Sequence, residues 1–96
     1  PFWVAGTFSS DGVMLTSHGR VGCTVIRQST GIYFIEFDHP HPSPSYVVIC
    51  CTHTGRSWSG FGTSGFERNN SSSFWIVLRN SSSAKLNGEG TFMVLA

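Results

Sequence analysis

Four histidines, five carboxylates and one aromatic-rich loop are the parts of this 96-residue chain whose types could do chemistry. The loop His53–Phe66 sets Arg56, Trp58, Phe61 and Phe66 among glycines and serines. Flat aromatic rings suit sugar stacking and interfaces, and small polar neighbours supply adaptable hydrogen bonds. Arg56, Trp58, Phe61 and Phe66 are therefore the candidate ligand-binding residues. The competing reading is packing, because large aromatics are more often packed than displayed. His39-Pro40-His41 sets two imidazoles two positions apart, with His18 and His53 elsewhere in the chain. Histidine is the commonest metal ligand, so His39 and His41 are weak metal candidates. A Pro-rich exposed turn is an ordinary place for such residues, and the expectation is no metal and no cofactor.

Catalytic patterns fare worse. Serines are plentiful, but no Gly-x-Ser-x-Gly string surrounds one. Glu36 and Asp38 could share a strand face, the minimum for a carboxylate pair. Strand-edge acids are usually just solvated. Gly60, Gly62 and Gly65 spell a G-x-G-x-x-G string, yet a dinucleotide site needs a helix to follow it. Phe66-Glu67-Arg68-Asn69-Asn70-Ser71 has no helical period, and the glycines read as turn formers. Three N-x-Ser sequons, at Asn69, Asn70 and Asn80, read the same way. No catalytic residue is assigned, and the chain is not expected to be an enzyme.

The elements that would position these residues are strands. No stretch shows apolar spacing near 3.6, and β-branched and aromatic residues dominate the apolar runs. Gly31–Thr52 organises the rest as strand, Pro-broken turn, strand. Ile32–Phe37 sets Ile32, Phe34 and Glu36 on one face and Tyr33, Ile35 and Phe37 on the other. Ser45–Cys51 opposes Tyr46, Val48 and Cys50 to Val47, Ile49 and Cys51. Asp38–Pro44 holds three prolines and makes a stiff link in what reads as a central hairpin. Phe2–Phe8, a short piece at Val13–Leu15, Val21–Arg27, Phe74–Arg79 and Thr91–Ala96 add further strands. Asn69–Ser73 and Asn80–Gly88 are polar connections. Six to eight short strands with regular turn signals spell an all-β antiparallel sandwich or barrel, of which the sandwich is the expectation.

Strands apolar on both faces need two covers, whereas a small antiparallel sheet normally wets one face. The cheapest second cover is another copy of the chain. Hydrophobic residues make up 40% and charged residues 11%, against roughly 25% charged in an average soluble chain. That balance fits a surface hidden in an oligomer, or one solubilised by Ser, Thr, Asn and Gly. The net charge is +1 and the six basic residues are scattered singly, so no nucleic-acid partner is implied. No apolar run reaches the roughly 18 residues of a membrane helix, so membrane insertion is not expected. Three cysteines cannot all pair within one chain. Cys23, Cys50 and Cys51 are expected as buried thiols. A chain that begins at Pro1 with no Met is expected to be a fragment or a processed product.

A family pattern is present in Gly31-Ile32-Tyr33-Phe34-Ile35-Glu36-Phe37, Pro40 to Pro44, Tyr46-Val47-Val48, Phe74-Trp75-Ile76-Val77, Asn80-Ser81-Ser82 and Phe92-Met93-Val94-Leu95-Ala96. This series resembles the C-terminal trimeric tip domains of bacteriophage tail fibres and related adhesive fibres of viruses and predatory bacteria. It spans most of the chain from Val21 onward. The resemblance implies one domain over 1–96, a compact jelly-roll-like β-sandwich, three copies around an axis, and a place on a virion tail fibre or an extracellular fibre. It implies recognition of a host or prey cell-surface glycan or other envelope component. Binding residues in that family lie in variable loops, so none carries over by position. The alternatives are a purely structural trimerisation cap and a monomeric carbohydrate-binding module.

Overall fold

The computed structural model describes residues 2–52, 63–79 and 84–96. Eight strands follow in chain order: β1 (Phe2–Phe8), β2 (Met14–His18), β3 (Cys23–Ser29), β4 (Ile32–Phe37), β5 (Val48–Thr52), β6 (Thr63–Asn70), β7 (Ser73–Arg79) and β8 (Gly90–Leu95). They form two antiparallel four-stranded sheets, β2-β1-β8-β5 and β3-β4-β7-β6. The fold is all-β, as the alternation in the sequence requires.

Alternation also decides which residues meet between the sheets. From the first sheet come Val4 and Phe8 of β1, Val48 of β5, and Phe92 and Val94 of β8. From the second come Tyr33, Ile35 and Phe37 of β4 with Phe74, Ile76 and Leu78 of β7. Every one of these is at most 6% exposed. Burying such side chains contributes about 1.5–3 kcal/mol each. The rings touch in sequence along the core. Phe8 meets Tyr33 at 4.5 Å, Phe74 meets Phe92 at 5.8 Å, and Phe37 meets Tyr46 at 5.4 Å. Tilted and edge-on contacts of this kind add to simple area burial.

The two tyrosines bring their hydroxyls to backbone partners. Tyr33 Oη donates to the Ser10 carbonyl at 2.8 Å and accepts from the Gly88 amide at 3.1 Å. Tyr46 Oη lies 2.7 Å from the Ser73 carbonyl and 2.9 Å from that of Asn70. Burial raises both phenols, Tyr46 to about 12 with the Arg68 charge opposing the shift. Gly31 closes the β3–β4 turn at φ +72°. A Cβ there would lie 2.7 Å from the Leu78 carbonyl and 2.9 Å from the Leu86 amide, so only glycine fits.

Several expectations need correction. The segment Gly31–Thr52 is not a hairpin: β4 lies in the second sheet and β5 in the first, so Asp38–Pro44 carries the chain between layers. The strand expected from Ser45 begins at Val48, and Tyr46 reaches the core from the connection before it. The strand expected at Val21–Arg27 runs from Cys23 to Ser29, and of the short piece at Val13–Leu15 only Met14 and Leu15 are strand, opening Met14–His18. Phe66 lies within a strand, since β6 begins at Thr63 and runs through Asn70. The cysteines form no disulfide, but Cys51 is exposed and Cys23 and Cys50 are half-buried, so full burial does not hold. The closing strand is paired on both sides, to β1 and β5, as its apolar alternation leads one to expect.

Candidate functional site

The outward face of the second sheet carries a built groove. Period-two alternation sends Phe74, Ile76 and Leu78 inward, so Trp75, Val77 and Arg79 of β7 point outward. Register then sets their neighbours. Trp75 lies opposite Phe34 of β4 and Glu67 of β6. Val77 lies opposite Ile32 and Gly65. Beyond the end of β7, Lys85 bridges Arg79 in antiparallel fashion, and directly paired residues share a face. Gln28, Ile32, Glu67, Trp75, Val77, Arg79 and Lys85 line an open groove of about 440 Å³.

Each part of the groove has a physical reason. The Trp75 indole N–H donates to Gln28 Oε1 at 2.8 Å, which fixes the ring's orientation. Phe34 supports the ring at 5.5 Å between centroids. Gln28 stands at an irregularity in the β3–β4 register between Arg27 and Ser29. Gly65 leaves the middle of the groove open, for a Cβ built on it meets nothing within 4 Å. The floor is apolar, with Trp75, Val77 and Ile32. One end carries Glu67 and Gln28, and the other carries Arg79 and Lys85. From Trp75 to Arg79 is four residues along β7, or about 14 Å at the usual strand rise.

The outward face of the first sheet is different. Ala5, Met93 and Ile49 stand side by side across β1, β8 and β5. Phe2 pairs with Leu95, and the Leu95 amide donates to the Val47 carbonyl at 3.1 Å. Ile49 is 54% exposed, Val47 52%, Phe2 38% and Leu95 37%. The second sheet's outward face also exposes an apolar side chain, Ile26, 59% exposed and in register with Phe34.

No family model matches the chain, and comparison with curated proteins and with solved structures found no match.

Of the residues singled out from sequence, Arg56, Trp58 and Phe61 lie outside the described residues. Phe66 pairs with Ile76 and so faces the opposite side of the sheet from Trp75. It stays 39% exposed because β6 is an edge strand, and the Arg68 guanidinium sits 5.9 Å from its ring centroid. His39 is exposed. His41 is not an exposed turn residue but a buried one, 8% exposed. Its Nε2 lies 2.8 Å from the Leu95 carbonyl, and its Nδ1 accepts from the Ser43 amide at 3.0 Å. The tautomer protonated at Nε2 satisfies both contacts. The ring also packs against Trp3 at 5.2 Å and Tyr46 at 5.3 Å. His41 thus ties the Pro-rich connection to the last strand, with neither ring nitrogen turned outward to a ligand. Among the described residues, no three His, Cys, Asp or Glu side chains gather at one point. Glu36 and Asp38 are both exposed. After Gly65 the chain continues as strand, so the helix that a dinucleotide site requires is replaced by β6.

Sequence reasoning passed over Trp75. The signal was present: a strand whose inward face is wholly apolar also carries Trp and Arg outward, where a solvated sheet face would show small polar residues.

Proposed function

We propose that the chain is the non-catalytic recognition tip of a trimeric fibre on a virion or cell surface, binding a cell-surface glycan. The observation that carries this reading is a Trp75-floored groove on one sheet and an uncovered apolar face on the other. An indole held by the Gln28 hydrogen bond and the tilted Phe34 ring suits the apolar face of a sugar ring. Gln28 and Glu67 beside it suit sugar hydroxyls. Phe2, Val47, Ile49 and Leu95 suit burial against neighbouring copies, with three copies following from the resemblance to fibre tips. The face that assembles and the groove that binds belong to different sheets, so assembly would leave the groove open and triplicate it. Triplication raises avidity without any new contact.

A glycan array tests the recognition half. The wild-type chain is expected to bind a defined subset of glycans, and Trp75→Ala is expected to lose that binding. Stacked aromatics are commonly worth about 1–3 kcal/mol, or roughly tenfold to a hundredfold in affinity. Gly65→Leu serves as a second variant, because its side chain enters open space without a clash and obstructs the groove. Array binding that survives both substitutions would place recognition elsewhere, with Arg56, Trp58 and Phe61 the next residues to change.

A structural cap that binds nothing is the second reading, favoured by the same apolar face. It predicts an empty array, together with loss of trimerisation when that face is made polar.

A further inference from the structure

The Trp75 groove is polarised along its length, with Glu67 beside the indole and Lys85 beyond Val77. We infer that the groove takes an acidic saccharide, with its ring on Trp75 and its carboxylate toward Lys85. The inference rests on the recognition reading given above and names the ligand class for that site.

Glu67 lies in register with Trp75, so an anion beside the indole would meet a like charge. Arg79 and Lys85 lie at the far end, on the same face, with no carboxylate among the residues that line that end. Arg79 has a partner of its own within the fold, so Lys85 is the cation assigned to the ligand's carboxylate. Lys85 is exposed and stands beyond the apolar floor of Val77 and Ile32. A neutral sugar would satisfy the indole and Gln28 but leave the basic end unused. A saccharide long enough to cross Val77 and carrying a carboxylate uses both ends. Glu67 then accepts from hydroxyls at the uncharged end and repels the reversed orientation. The groove is open to water and screened by salt, so the basic end discriminates moderately and in a salt-dependent way.

The test is an array of matched pairs: sialyllactose against lactose, and trigalacturonate against its carboxyl-reduced form, each read at low and physiological salt. Wild type is expected to favour the acidic member about two- to fivefold at low salt, the range of one exposed charge pair, with the preference shrinking as salt rises. Lys85→Gln is expected to level each pair while keeping the binding of the neutral member. Lys85 is exposed at the end of the groove, so this change spares the fold, and an unchanged melting temperature checks that. Equal binding of acidic and neutral members, lost in Trp75→Ala, would overturn the acidic preference and leave glycan recognition standing. An acidic preference retained in Lys85→Gln would overturn the assignment of the basic end. Absence of any binding by wild type would overturn both readings together.

Discussion

Tyr46 shows how much a single residue outside any strand can hold. Its ring fills the core between Phe37, Phe74 and His41, and its hydroxyl serves the carbonyls of Ser73 and Asn70, which flank the β6–β7 turn. Its own carbonyl accepts from the Arg68 guanidinium at 3.1 Å. Tyr46→Phe keeps the ring and strips the hydroxyl, leaving those carbonyls with one donor fewer. The expected loss is about 1–3 kcal/mol in the free energy of unfolding, read by urea denaturation. The same residue gives stability a pH dependence. The unfolded phenol ionises near pH 10, whereas burial holds the folded one up to about 12. Below pH 10 both states keep the proton and the contribution is complete. From pH 10 to about 12 the folded state binds more protons than the unfolded state, so stability falls as pH rises. Tyr33 and Cys23 shift in the same direction, burial again being the leading cause. The Tyr46→Phe variant is therefore expected to decline less steeply with pH than wild type over that range. Parallel declines would show that Tyr46 does not titrate late.

Elements were legible in proportion to how much core they carry. The interval Ile32–Phe37 could be read to the residue, because strict alternation is bounded by Gly31 on one side and the Pro-rich run on the other. The β8 strand was read almost as closely for the same reason. By contrast β6, TSGFERNN, offers no apolar period. As an edge strand it contributes Phe66 and Arg68 to the core side and little else, so polarity disguised it as a loop. The partner of β5 was hidden for a different reason. A stiff proline segment reads the same whether it turns back within a sheet or crosses to another, and only the packing of Tyr46 and His41 decides between them. The β3–β4 turn makes a test at this scale. Gly31→Ala forces a side chain into left-handed backbone and against the Leu78 carbonyl. It is expected to cost about 1–3 kcal/mol, and its urea midpoint should fall accordingly. An unchanged midpoint would mean that the turn relaxes to another geometry at little cost.

Over the whole molecule, the two outer sheet faces differ in what they expose. Sequence alone predicted strands with two apolar faces, and the fold leaves Val47, Ile49, Phe2 and Leu95 facing outward on the first sheet. What could not be read was that the second sheet's outward face would gather Gln28, Glu67, Trp75 and Lys85 from four separate segments, since register, not sequence proximity, brings them together. Assembly through the first sheet, as proposed, would leave the groove of the second exposed on every copy. Light scattering of the 10.5 kDa chain tests this most directly, with Ile49→Asp measured beside wild type. A wild-type mass near three chains, falling to one chain in a still-folded Ile49→Asp, is the predicted result. A wild-type mass of 10.5 kDa at all concentrations would contradict it, leaving a monomeric module whose apolar face lies open to water.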